Sequence, residues 1–186
     1  MKAPGITRTR RPFLAPLWVG ALSTLVAAFA LFGLFRLSLL WLGETTTVIL
    51  VRHAEKSQQG ADPALTQVGE ARALRLAAML RDAGVTAVFA SDTLRARATA
   101  APLAARLGLP VEEYAGRDVE GLVAAVAARH RGETVLVVGH SNTVPQILDR
   151  LTRGRYVVTL RADEYDAFYV VTVSRFDPPS VLRLRY

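Results

Sequence analysis

Three short stretches carry side chains that could do chemistry together: Arg52-His53-Ala54-Glu55-Lys56, Ser91-Asp92-Thr93-Leu94-Arg95 and Gly139-His140-Ser141-Asn142-Thr143. Each directly follows an apolar run rich in β-branched residues, so each sits where a buried strand ends. The third also precedes a helical pattern. In open α/β sheets, ligands gather at the carboxyl ends of the strands. Two of the chain's three histidines and two arginines could therefore meet in one crevice. That set suits an oxyanion, most naturally phosphate. A guanidinium offers a planar fork to phosphate oxygens and keeps its charge. The free N–H groups at the helix start after Asn142 add a further anion-binding end. A neutral imidazole could attack phosphorus while arginines offset charge on the equatorial oxygens. Such a set offers a metal neither carboxylate nor thiolate ligands, so no metal or cofactor is expected.

Alternating strands and helices must position these residues. Thr46 to Val51 reads as a strand buried on both faces. Thr66 is a candidate N-cap, with Glu70 in the first turn of a helix that Gly84 ends. Val85 to Ala90 is a second strand and Thr93 to Leu107 a helix stopped by Gly108. A short strand near Val111 and a helix over Val119 to Arg131 follow. Thr134 to Val138 is another buried strand, and Thr143 to Leu151 a helix with Pro145 in its first turn. Three tail segments, Tyr156 to Leu160, Ala167 to Val173 and Val181 to Leu184, read as strands closing one side of the sheet. The expected architecture is α/β in three layers, a mostly parallel central sheet flanked by helices.

Ahead of that domain lies a different kind of chain. Phe13 to Phe35 runs 23 residues without a charge, enough to cross a hydrocarbon core of about 30 Å. Lys2, Arg8, Arg10 and Arg11 precede it and only Arg36 follows closely, so the positive-inside bias puts the N-terminus in the cytoplasm. The expected organisation is a basic N-terminus over 1–12, a transmembrane signal anchor over 13–42, a linker over 43–47 and a catalytic domain over 48–186. Ala28-Phe29-Ala30 also has the small-x-small look of a cleavage site, and Thr9-Arg10-Arg11-Pro12-Phe13-Leu14 resembles a twin-arginine export signal. Either route delivers the domain to the periplasmic or outer side. Setting the five flanking bases aside leaves 18 basic against 16 acidic residues, so the net charge of +7 belongs mainly to the N-terminus. A nucleic-acid partner is not indicated. With no cysteine there is no disulfide framework or thiol nucleophile.

Four motifs in order extend the reading. Arg52-His53 resembles the Arg-His-Gly signature of the histidine phosphatase (phosphoglycerate mutase-like) superfamily, with Ala54 in place of Gly. Leu65-Thr66-x-x-Gly69-x-x-Arg72 resembles its LTxxGxxQA helix start. Ser91-Asp92-x-x-Arg95-Ala96-x-x-Thr99-Ala100 is similar to its SxxxRAxxTA segment, and Gly139-His140-Ser141-Asn142 to its GHSN motif. The resemblance implies a phosphatase with His53 as nucleophile and transient phosphohistidine. Arg52 and Arg95 would hold phosphate oxygens, His140 would stabilise the transferring phosphoryl group, and Ser141 and Asn142 would line the pocket. Substrates would be phosphorylated small molecules, sugars, lipids or proteins. The general acid is the weak point. Ser141 stands where one branch of the family has its acid, and only Glu112, Glu113 and Asp118 lie near the position used by the other. Glu113 and Asp118 are the candidates. Without an acid the enzyme would favour leaving groups that need no proton, as the small bacterial phosphohistidine phosphatases do. The alternative is a catalytically idle module that keeps the pocket to bind phospho-ligands. Glu55 is expected to orient His53 or to pair with Lys56 or Arg52, Asp62-Pro63 to form a simple turn, and His130 to be solvated.

Overall fold

The computed structural model describes residues 17–42 and 44–186, which fall into two units divided after Leu42. In the first unit, helix α1 spans Leu17–Leu42, about 39 Å at 1.5 Å per residue. Its stretch Gly20–Ser38 is long and apolar enough to cross a membrane. The hydroxyls within it bond back to the helix: Ser23 Oγ donates to Gly20 O, Thr24 Oγ1 to Ala21 O and Ser38 Oγ to Phe35 O, at 2.9, 2.9 and 2.8 Å. No hydroxyl there needs water as a partner, as an apolar surrounding demands. The expected basic N-terminus and residues 13–16 of the expected anchor lie outside the described residues.

The second unit contains strands β1 (Thr46–Arg52), β2 (Val85–Ser91), β3 (Val111–Tyr114), β4 (Thr134–Gly139), β5 (Ala167–Val173) and β6 (Ser180–Arg185). Its helices are α2 (Gln67–Leu80), α3 (Leu94–Leu107), α4 (Val119–Arg129) and α5 (Thr143–Thr152). The six strands form one sheet in the order β3-β2-β4-β1-β5-β6. Pairings from β3 through β1 are parallel, and β5 and β6 run antiparallel at the far side. Thr46 and Thr47, at the end of the segment expected as linker, already pair with Val173 and Thr134.

The apolar runs have the physical cause expected of them. Along β1, Val48 and Leu50 join one core layer with α4 and α5, while Ile49 and Val51 join the other with α2 and α3. β4 divides the same way, Val135 and Val137 against Leu136 and Val138. A strand covered on both faces has no polar side to alternate with. In β2 the register shifts between Val85 and Ala87, which places Val85 on the α2/α3 face although Ala87 and Phe89 face α4 and α5.

One tail expectation fails. Tyr156 to Leu160 forms no strand. β5 takes the free edge of β1 and β6 takes that of β5, so these two strands alone extend the sheet on that side. The segment instead packs Leu160 and Val158 onto the α4/α5 core layer.

Candidate active site

Parallel β1 and β4 are neighbours, with Arg52 opposite Gly139. The His53 N–H donates to Gly139 O at 2.9 Å, continuing that ladder by one residue and setting the next side chains of both strands level. The His53 and His140 rings stand 5.2 Å apart between centroids in an edge-to-face arrangement. β2 borders β4 on its other side and delivers Ser91, whose Oγ lies 2.7 Å from His140 Nε2. α3 starts three residues further on and brings Arg95 to the same cleft. The cleft holds about 610 Å3 and is lined by Arg52, His53, Lys56, Asp92, Thr93, Arg95, Ala115, Gly116, Arg117, His140, Ser141, Asn142 and Thr143. All six residues expected to form the pocket are thus together.

His53 is 3% exposed, and its Nδ1 lies 2.7 Å from Ala54 O. A carbonyl oxygen can only accept, so Nδ1 carries the proton and Nε2 keeps its lone pair. Burial, then His140, Arg52 and Arg95 nearby, push the His53 pKa down to about 3 against the raising effect of that carbonyl. His140 is pushed down to about 4, by burial first and then Arg95. Both imidazoles are neutral at neutral pH, as a nitrogen nucleophile requires. The Ala54 N–H donates to Thr99 Oγ1 at 3.0 Å, and that hydroxyl donates to Arg95 O at 2.7 Å. Thr99, within the SxxxRAxxTA segment, therefore ties the His53 turn to the first turn of α3. Ala54 itself is fully buried against Leu65 and Ala73, so the methyl that replaces the usual glycine is filled space.

The low imidazole values carry a consequence for stability. Between pH 6.5 and about 3 the unfolded chain binds a proton at His53 and the folded one does not. Stability is therefore complete above pH 6.5 and falls on acidification by about 1.4 kcal/mol per pH unit for His53. Urea unfolding of the full chain in detergent at pH 7 and pH 5 reads this directly. His53→Asn should flatten the slope, and equal slopes in the two proteins would count against a buried neutral His53.

The arginines are held differently. Arg52 is 5% exposed, and its Nη1 donates to the carbonyls of Arg161, Ala162 and Glu164 at 3.0, 2.9 and 3.1 Å. Tyr165 lies against the guanidinium, 4.0 Å from its ring centroid. Arg95 Nη1 donates to Asp62 Oδ1 at 3.1 Å, and Asp62 Oδ2 accepts the Leu94 N–H at 2.8 Å. Asp62 is thus more than part of a turn: it caps α3 where Thr93 makes no side-chain cap, and it orients Arg95. Among the described residues, the buried Nε atoms of both Arg52 and Arg95 have no hydrogen-bond partner.

Glu113 and Asp118 lie elsewhere. Glu113 is exposed and accepts from Arg97 Nη1 at 3.0 Å, while Asp118 caps α4 by accepting the Gly121 N–H at 2.9 Å. Glu112 pairs with Arg129 at 2.9 Å. None of the three lines the cleft, whose one carboxylate is Asp92. Asp92 Oδ1 accepts the Gly116 N–H at 3.1 Å, which joins the ends of β2 and β3. Among the described residues no cluster of three His, Asp or Glu side chains could hold a metal ion.

Two further sequence expectations need correction. Glu55 orients neither His53 nor an adjacent cation; it forms a two-pronged pair with Arg72 of α2, Nε to Oε2 at 2.9 Å and Nη2 to Oε1 at 2.6 Å. That pair is built by close approach: Gly69 packs so tightly on Glu55 that a Cβ there would lie inside contact distance of its carbonyl oxygen. His130 is not solvated: its Nδ1 lies 2.9 Å from Glu133 Oε2 and its ring packs edge-to-face on Phe89. The Arg161–Tyr165 segment, which carries no motif and for which no site role was expected, lies against Arg52. Sequence offered one late signal for it, an Arg-Ala-Asp-Glu-Tyr-Asp run too polar for the strand pattern around it.

Residues 48–118 match the family model described as histidine phosphatase superfamily (branch 1). No curated protein matches the chain in sequence. Among solved structures, the protein histidine phosphatase SixA complexed with tungstate is 23% identical, with 75% of this chain and 96% of that one covered at a TM-score of 0.60. A putative phosphohistidine phosphatase SixA from Nakamurella multipartitia is 27% identical over 69% of this chain and 84% of its own, at a TM-score of 0.51. Phosphoserine phosphatase from Entamoeba histolytica, in complex with 3-phosphoglyceric acid, is 15% identical, with coverages of 76% and 97% and a TM-score of 0.59. The matched segment covers β1 through the start of α4, and the domain shares the fold of these solved structures.

Proposed function

We propose that this chain is a metal-independent phosphatase that works through a phosphohistidine on His53. One observation carries the reading: a buried His53 with its Nε2 lone pair free, edge-to-face with His140 and flanked by Arg52 and Arg95, at the carboxyl ends of adjacent parallel strands. In the first step Nε2 attacks phosphorus, the P–N bond forms and the P–O bond to the leaving group breaks, with the electron pair departing on that oxygen. In the second, water attacks phosphorus, the P–N bond breaks and its electron pair returns to Nε2. The water's proton leaves with the released phosphate or to solvent. Arg52, Arg95 and His140 hold the charge on the equatorial oxygens through both steps. Because the cleft carries Asp92 as its one carboxylate and that group is engaged with Gly116, activated phosphates such as phosphohistidine or anhydrides suit the site better than alkyl esters. The test is hydrolysis of an aryl phosphate by the full chain in detergent with EDTA present. Absence of turnover in a folded protein that binds phosphate would point to the idle binding module instead.

The apolar length of α1 supports a reading of the place of action. Helix α1 anchors the chain in the cytoplasmic membrane, with the basic N-terminus inside and the phosphatase domain on the periplasmic or outer side. A reporter active only outside the cytoplasm, fused after Tyr186, should be active; inactivity of that fusion alongside an active cytoplasmic reporter would reverse the topology.

A further inference from the structure

The segment from Arg161 to Tyr165 lies outside the residues matched to the family and outside all four motifs. Among the described residues it nevertheless supplies every hydrogen-bond partner of Arg52 Nη1, three main-chain carbonyls, and beside them the face of the Tyr165 ring. Tyr165 also stands 6.0 Å from the His53 ring, between centroids. Carbonyl dipoles and a π face orient a guanidinium without cancelling its formal charge, whereas a carboxylate in the same place would compete with the phosphate it is meant to hold. This arrangement keeps Arg52 both fixed and available.

The segment has no regular structure of its own, so something else must hold those carbonyls in line. Glu164 is the residue placed to do so. Its main-chain carbonyl faces Arg52, while its side chain, in a residue only 8% exposed, turns toward β6. There Oε1 pairs with Arg183 and lies 3.5 Å from Arg185 Nη2. Oε2 accepts the Arg161 N–H at 3.3 Å, and the Glu164 N–H donates to Arg161 O at 3.1 Å, which closes the turn. A carboxylate this buried is stable only while its cationic partners stay in place. It therefore pins the turn to the sheet edge.

We propose that Glu164 is a positioning residue for phosphoryl recognition: clamped by Arg183 and Arg185, it sets the 161–164 carbonyls that aim the Arg52 guanidinium at the transferred group. The inference rests on Arg52 being a phosphate ligand. Glu164→Gln keeps the shape and removes the charge that holds β6. In the full chain in detergent, the KM for an aryl phosphate and the inhibition constant for inorganic phosphate should both rise about tenfold, with kcat changed less than about threefold, because a displaced clamp weakens ground-state and transition-state binding alike. In an Arg52→Lys background the same substitution should have almost no further effect, since a lysine cannot use the three carbonyls as the guanidinium does. A Glu164→Gln protein with a lower melting temperature but unchanged KM and phosphate inhibition would overturn the proposal, as would an effect fully additive with Arg52→Lys. Calorimetric binding of inorganic phosphate separates the two readings. If the chain turns over no ester yet Glu164→Gln weakens phosphate about tenfold, the phosphatase reading fails and the positioning role stands.

Discussion

His53→Ala should abolish aryl phosphate hydrolysis, a loss of at least about 10⁴-fold, because in the proposed scheme it removes the atom that forms the covalent intermediate. Brief exposure of the parent to labelled substrate should trap an acid-labile phosphoenzyme, and the same substitution should remove it. Binding of inorganic phosphate should survive, since Arg52 and Arg95 are anchored by the 161–164 carbonyls and by Asp62, not by the imidazole. The variant should also fold: the contact His53 makes within its turn is to the carbonyl of Ala54, while the Ala54 N–H keeps Thr99. Residual turnover within tenfold of the parent would mean that another nucleophile, or water directly, does the chemistry, and the phosphohistidine scheme would have to be abandoned.

Aryl phosphates should be hydrolysed about 10²–10⁴ times faster than alkyl phosphates of similar size, the range that a general acid usually contributes. The reason lies in what the cleft lacks. Glu113 is occupied by Arg97 and Asp118 by the start of α4, and neither lines the cleft. Glu113→Gln and Asp118→Asn should therefore leave the aryl-to-alkyl ratio where it is. Comparable rates for the two ester classes would show that an acid reaches the leaving oxygen. Asp92, the one carboxylate among the lining residues, would then be replaced first, and collapse of alkyl turnover in Asp92→Asn would assign it.

The parts of this protein that could be read along the chain are those whose cause is local. The double-faced strands announced themselves because Val48 to Val51 and Val135 to Val138 meet core on both sides and have no polar face to show. Thr66 was legible as a cap because an N-cap hydroxyl serves an N–H only three residues on, here that of Gly69 at 3.1 Å. His53, His140 and both arginines could be gathered because parallel strands in such a sheet all end at the same rim. The partners that fix these groups were not legible, since each comes from a distant part of the chain. Asp62 meets Arg95 across 33 residues, Ser91 meets His140 across 49, and the Glu164 carbonyl meets Arg52 across 112. Nothing in the spacing of such residues distinguishes them from ordinary surface polar groups. Glu55 shows the same limit, with nearby Lys56 and Arg52 as candidates and Arg72 as the true partner, once α2 packs Gly69 against the turn. Sequence alone determined which groups can do the chemistry, because that depends on residue type and on the strand ends that carry them. Only the tertiary structure decided which of them are aimed, neutral and free to react, because burial, charge and hydrogen-bond partners are set by chain segments that sequence leaves far apart.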